Sequence, residues 1–121
     1  MVSSDWITAT MAIRRISNEV EAKLTPHGSQ STTGKIECKT YGDSTGALRA
    51  RVRNLSNVAS DYPLRLFVNN IAIGDLERTR DKAELELDSR EGNPIPTIVA
   101  GDEAQIRSGD LVLSQGTFYE D

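Results

Sequence analysis

Residues 64–74 read LRLFVNNIAIG, which is two apolar runs of strand length separated by a pair of asparagines. The first run, from Leu64 to Val68, alternates with the two-residue period of a half-buried β-strand. Asparagine tolerates the positive φ angles that both central residues of a type I′ turn require. The stretch therefore predicts a tight β-hairpin with Asn69-Asn70 at its tip.

Short runs with the same alternation occur along the rest of the chain, and turn residues separate them. They cover residues 19–24, 35–41, 47–52, 83–88, 104–107 and 111–114, with 116–118 closing the chain. Strand-length alternation broken at short intervals is typical of an antiparallel sandwich or barrel. We predict an all-β fold, an antiparallel β-sandwich of about eight strands forming a single domain over residues 1–121.

Two further segments complete this prediction. Residues 5–17 favour another strand, because their threonines and isoleucines prefer extended backbone. The alternative is a helix that begins at Ser4 or Asp5, which the spacing of Met11, Arg14 and Arg15 would also suit. Residues 54–63 form a connection longer than a turn, and we expect them to cross between the two sheets.

Composition excludes several classes of protein. The chain has 121 residues, a net charge of -4 and one cysteine, Cys38. The acidic balance argues against nucleic acid as a main partner, since phosphate binding needs a surplus of Lys and Arg. Cys38 can form no intramolecular disulfide, and we expect it to be a buried small residue. No apolar run approaches a membrane span, and residues 1–6 lack the basic flank and apolar stretch of a signal peptide.

Catalytic chemistry has little support in the residues. The single histidine, His27, excludes a multi-histidine metal site, and no Gly-rich phosphate loop is present. Glu84 and Glu86 share one strand face, but any solvated strand shows that spacing, so a glycosidase-type carboxylate pair is the weaker interpretation. We predict no enzyme activity, no catalytic residue, no cofactor and no metal. The Gly-Asp turns at Asp43, Asp102 and Asp110 leave a calcium site open as the alternative to ordinary turn chemistry.

Two rows of opposite charge lie on predicted strands. The basic row is Arg49, Arg51 and Arg53, and the acidic row is Glu84, Glu86 and Asp88. These rows could be solvated outer faces, could pair across neighbouring strands, or could meet across a subunit interface. All three alternatives stay open at this point.

A ligand-binding site is predicted from residues at strand ends and turns. Sugar-binding sandwiches stack an exposed aromatic ring on the sugar and use nearby carboxylates for hydrogen bonds. The candidates here are Tyr41, Asp43, Tyr62 and Asp102, with Trp6 as a further aromatic residue.

The second half of the chain resembles a small bacterial β-sandwich module of unassigned activity. The resemblance is carried by the hairpin at residues 67–74, the ELELD strand at 84–88, the Gly/Pro loop at 92–96, the Gly101-Asp102 turn and the GTF at 116–118. The first half is faintly similar to CHRD domains. The resemblance implies an exported or cell-surface protein; without it, the cytoplasm is expected.

The sequence thus predicts a non-enzymatic binding or structural module with a protein or glycan partner, and self-association as a further possibility. The alternatives are a lectin-like carbohydrate-binding protein and, less favoured, a hydrolase with an atypical carboxylate site.

Overall fold

The computed structural model describes residues 16–56, 58–59 and 62–121. Over these residues it contains eight β-strands and one short 3-10 turn. The elements are β1 Ile16–Pro26, β2 Thr33–Tyr41, β3 Gly46–Arg53, β4 Leu64–Val68, β5 Ile71–Thr79, β6 Lys82–Asp88, the 3-10 turn Ser89–Glu91, β7 Glu103–Ser108 and β8 Leu111–Glu120. The strand predicted over residues 5–17 lies outside the described residues except for its last two positions, which begin β1.

The strands close into a barrel in the order β1-β2-β3-β6-β5-β4-β7-β8, and every neighbouring pair is antiparallel. The all-β prediction is confirmed, but the sandwich is wrong, because β1 pairs with β8 from Val20↔Glu120 to Pro26↔Ser114. A close approach of the two backbones accompanies this closure. A Cβ atom on Gly116 would lie 2.2 Å from the Lys23 carbonyl oxygen, so only glycine lets β8 approach β1 this closely.

The core fills the inside of the barrel. Alternate residues of each strand point inward, as on β3, where Leu48, Ala50 and Val52 are buried and the arginines between them are exposed. The largest fully buried side chain is that of Phe118 on β8. The predicted asparagine turn is present, with φ angles of 49° at Asn69 and 67° at Asn70.

The antiparallel order gives the barrel two ends. The lower end carries the turns at 42–45 and 69–70 and the connection 89–102, whose Ile98 is buried against the core. The upper end carries the connection 27–32, the turns at 80–81 and 109–110, and the connection between β3 and β4. That last connection crosses the upper end of the barrel rather than passing between two sheets, and its Leu55 is fully buried.

Arg78 on β5 holds the connection between β3 and β4 through hydrogen bonds. Its guanidinium donates to the carbonyl oxygens of Leu55 at 2.8 Å, Val58 at 3.1 Å and Ala59 at 3.4 Å, and its Nε donates to that of Arg80 at 2.9 Å. One planar group therefore satisfies four backbone acceptors that have no strand partner.

Candidate functional site

The outer face of β1, β2, β3 and β6 arranges its charges in cross-strand rows. In the middle row Lys23 lies opposite Lys35, and Lys35 lies opposite Arg51. Arg51 in turn lies opposite Glu84 on β6. Directly opposed residues on neighbouring strands share a face, with the strands about 4.8 Å apart. Three cations therefore stand side by side over about 10 Å before the first carboxylate.

The row toward the upper end is also cationic. Thr33 lies opposite Arg53, and Arg53 lies opposite Lys82. Lys82 then faces Thr79 on β5. The row toward the lower end is mostly acidic and runs from Glu21 through Glu37 and Arg49 to Glu86.

The two charged rows predicted from the sequence meet within this face. Arg49 Nε lies 2.9 Å from Glu84 Oε1 and 3.1 Å from Glu86 Oε1, and Arg51 Nε lies 3.6 Å from Glu84 Oε1. The hydrogen bond from Arg49, followed by that to Glu86, holds the pKa of Glu84 below its usual value. All four side chains are at least 44% exposed, so water screens these pairs and each contributes little to stability.

Asp88 and Arg53, the last residues of the two rows, have other neighbours. Asp88 lies opposite Ala47 and accepts a hydrogen bond from the Arg90 backbone N–H at 2.9 Å, which caps the 3-10 turn. Arg53 faces Lys82 instead of an acidic residue.

Among the residues that the structure describes, three cations of this face have no ion pair with a carboxylate. They are Lys23, Arg53 and Lys82. Like charges placed directly opposite each other destabilise a sheet, so Arg53↔Lys82 is an unfavourable contact. Lys23 also lies opposite a cation, Lys35, but the charge of Lys35 is offset by Glu21 at 3.4 Å and Glu37 at 3.6 Å.

A groove of about 770 Å³ runs over these rows, and its sides carry six cations against three carboxylates. We call it the cationic groove. Its charged lining residues are Lys23, Lys35, Arg49, Arg51, Arg53, Lys82, Glu37, Glu77 and Glu84. Its floor includes Gly34, where a Cβ atom would lie 2.3 Å from the Arg51 carbonyl oxygen. The groove carries a positive charge on a chain whose net charge is -4.

Lys35 is held at the lower rim of the cationic groove by a buried carboxylate. Glu21 faces outward but is only 8% exposed. The Tyr119 hydroxyl donates to its Oε2 at 3.0 Å, and Lys35 Nζ lies 3.4 Å from its Oε1. Its hydrogen bond to Glu21 is the main reason that the pKa of Tyr119 is raised. A separate hydrogen bond from Lys35 to Glu21 is the main reason that the pKa of Lys35 is raised.

The carboxylates of Glu19, Glu21 and Asp121 have oxygens within 4.8 Å of one another, the spacing of a cation site. Because Tyr119 and Lys35 already occupy the oxygens of Glu21, this group has a structural use without an ion.

The four ligand-binding residues predicted from turns are not brought together. Tyr62 lies at the upper end, where its ring is 3.6 Å from the Cβ position of Gly109. Tyr41, Asp43 and Asp102 lie at the lower end, at the opposite pole of the barrel.

The two aspartates of the lower end are engaged in turns. Asp43 accepts hydrogen bonds from the backbone N–H and the hydroxyl of Thr45. Asp102 accepts from the Val99 N–H at 2.9 Å. That bond, together with the side chain of Asn69, lowers the pKa of Asp102. Tyr41 borders a smaller depression of about 260 Å³ beside Asp88 and Glu91.

Cys38 is 5% exposed, and burial raises its pKa to about 11. At neutral pH the thiol therefore stays protonated, and a protonated thiol is a poor nucleophile.

Lys23, Lys35 and Lys82 were not singled out from the sequence. Each is exposed on its strand, and the alternation of apolar and polar residues in the sequence indicates that outward position. Their opposition across strands depends on the register and on the β3–β6 pairing, which local patterns do not specify.

No family model matches the chain, and no curated protein is similar to it. Among the described residues, no helix has the length and apolar character needed to cross a membrane.

Proposed function

We propose that this chain is a non-enzymatic binding module and that its cationic groove binds an anionic partner. The observation that carries the proposal is the run of directly opposed cations, Lys23-Lys35-Arg51 in one row and Arg53-Lys82 in the next. Lys35 and Arg51 have carboxylate partners, whereas Arg53 and Lys82 have none among the described residues, and their contact opposes folding. This local surplus of positive charge supports a surface that takes up negative charge.

The ion pairs around Arg49 also support binding. They engage Glu84 and Glu86 with Arg49, and the strand register places no carboxylate directly opposite Arg53 on β2 or β6. The pairing also argues against the hydrolase alternative, because a general acid needs a raised pKa and Arg49 lowers that of Glu84.

The test is binding of fluorescein-labelled dextran sulfate, with neutral dextran as the uncharged polymer. We expect an anisotropy increase with the sulfated polymer only, weakening as salt rises from about 0.1 M to about 0.5 M. The double variant Lys23→Glu/Arg53→Glu should lose about tenfold or more in affinity, equivalent to 1.4 kcal/mol. Both new carboxylates would face a lysine, Lys35 and Lys82 respectively, so the fold should be retained.

Arg90→Glu is the matched control, because Arg90 is exposed at the lower end and does not line the groove. Equal loss of binding in this control, or equal binding of neutral dextran, would contradict the proposal. A reducing-sugar assay on both polymers tests the enzymatic alternative, and release of reducing ends that disappears in Glu84→Gln would favour the hydrolase.

A further inference from the structure

The geometry points to an acidic polysaccharide, with carboxylates spaced among hydroxyl groups, as the anionic partner of the cationic groove. This inference rests on the proposed function and names the class of ligand. Four properties of the groove carry it: its hydroxyl groups, its own carboxylates, its lack of aromatic rings and the position of its strands within the sheet.

The first property is a set of threonine hydroxyls beside the unpaired cations. Thr33 and Thr79 lie at the two ends of the row that holds Arg53 and Lys82. Thr25 lines the groove next to Lys23, and its hydroxyl donates to the Gln115 carbonyl oxygen at 3.4 Å, which leaves its lone pairs to accept. The Thr33 hydroxyl accepts from Asn54 Nδ2 at 3.2 Å, which leaves its hydrogen to donate. A hydroxyl both donates and accepts, so these side chains match the hydroxyl groups of a sugar as well as its carboxylate.

The second property is the presence of Glu37, Glu77 and Glu84 in the same groove. A nucleic acid would bring phosphates against these carboxylates, and phosphates have no hydrogen to donate. An acidic polysaccharide with one carboxylate per sugar also carries hydroxyls, and these can donate to the same oxygens.

The third property concerns stacking. No aromatic side chain is among the described residues that line the groove. Single-stranded nucleic acids bind through bases stacked on aromatic rings as well as through a basic track, and this groove offers only the second. A sugar would likewise find no stacking ring here and would be held by charge and hydroxyl contacts instead.

The fourth property argues against an acidic peptide added as a strand. Where they line the groove, β2, β3 and β6 are each paired on both sides, with β6 joined to β5 over residues 82–84. The floor of the groove therefore has no free edge over these pairings, and a bound peptide could not extend the sheet there.

The experiment compares four polymers with the intact chain in calorimetric titrations at about 0.15 M salt. The polymers are polygalacturonate, its methyl-esterified form, poly-L-glutamate and oligo-dT. We expect polygalacturonate to bind about tenfold or more tightly than poly-L-glutamate and oligo-dT, and the esterified form not to bind. Equal or tighter binding of either reference polyanion would overturn the inference, and so would binding of the esterified form.

A hydroxyl-deleting variant separates sugar recognition from charge attraction. Thr33→Val/Thr79→Val keeps every cation and the β-branched shape, and within the protein it removes the hydrogen bond that Thr33 accepts from Asn54 at 3.2 Å. It should weaken polygalacturonate about three- to tenfold and leave dextran sulfate within about twofold, because a bound hydroxyl contributes only modestly. Equal loss for both polymers, or no loss for polygalacturonate, would contradict the assigned role of the hydroxyls.

The outcomes distinguish this inference from the proposal beneath it. If dextran sulfate binds in the groove and polygalacturonate does not, the polysaccharide inference fails and the anion-binding proposal stands. If no polyanion binds, both fail. The comparison of polymers with the unmodified chain decides the inference even if the threonine variant does not fold.

Discussion

Arg53 on β3 lies directly opposite Lys82 on β6, and within the described residues neither side chain has an acidic partner. Two positions toward the lower end of the same strand pair, Arg51 faces Glu84 and the charges are complementary. Along the β3–β6 pair, the charges are therefore balanced at Arg51–Glu84 and unbalanced at Arg53–Lys82. The unbalanced positive charge at Arg53 and Lys82 locates the centre of the proposed site.

The first prediction concerns the stability of the free protein. Lys82→Glu should raise the free energy of unfolding by about 0.2–1 kcal/mol, because the new carboxylate faces Arg53 across the strands. Urea denaturation at low salt measures the change, and added salt should reduce it. The same variant should bind dextran sulfate more weakly than the wild type. Destabilisation by Lys82→Glu would show that the Arg53–Lys82 contact is not the unfavourable one described here.

The second prediction concerns Arg78, whose guanidinium donates to four backbone carbonyl oxygens at the upper end. Arg78→Lys keeps the charge but cannot reach all four acceptors, so we expect a loss of about 1–3 kcal/mol in the free energy of unfolding. Arg65→Lys serves as the comparison, because Arg65 makes only an exposed ion pair with Asp75 at 2.6 Å. Similar effects of the two substitutions would contradict the role assigned to Arg78.

The third prediction concerns the floor of the cationic groove. Gly34→Ala places a methyl group 2.3 Å from the Arg51 carbonyl oxygen, so β2 and β3 must move apart. We expect a loss of about 1–3 kcal/mol in stability together with weaker polyanion binding. Gly46→Ala on β3 is the matched control, since its nearest contact is 3.3 Å and demands a smaller shift. If Gly34→Ala were no more destabilising than the control, the close approach of the strands would be in doubt.

The fourth prediction concerns acid stability. The pKa of Glu84 is lowered in the folded protein, chiefly by its hydrogen bond from Arg49. Its contribution is therefore present above the ordinary glutamate pKa, near 4.3, and is lost as pH falls through the lower folded value. Glu84→Gln should flatten the acid side of the stability profile slightly, because the pair is exposed. Denaturant midpoints between about pH 2 and pH 6 measure this. A steeper acid limb in Glu84→Gln would contradict the sign of the shift.

Local sequence patterns are sufficient for the strands but not for their closure. The alternation of LRLFVNNIAIG and the asparagine tip correspond to the β4–β5 hairpin as found. The charged residues after Gly74 conceal that β5 continues to Thr79, because Asp75 and Glu77 point outward while Leu76 is buried. Barrel closure depends on the pairing of β1 with β8, which are distant in sequence, and on the absence of a side chain at Gly116.

For the candidate site too, local patterns predict which residues face outward but not how the strands are paired. The arginine and ELELD rows could be recognised as outward faces from alternation alone. Their mutual register, and the lysines that extend the positive charge from β1 to β6, follow from the order of strands around the barrel. Tyr62 and Asp102 could not be assigned to opposite ends without knowing the direction of each strand.

The most direct test of the central claim is a map of where a polyanion touches the protein. Amide chemical shifts of isotope-labelled protein should be followed during titration with a short dextran sulfate. We predict shifts concentrated at Lys23, Lys35, Arg51, Arg53 and Lys82. Little change is expected around Arg65 and Arg107 on β4 and β7. These two also lie directly opposite each other, but Arg65 pairs with Asp75, and Arg107 donates to Gln105 and Asn70 and lies over the Phe67 ring. Shifts centred on Arg65 and Arg107, or spread evenly over all exposed cations, would contradict the assignment of the cationic groove as the binding site.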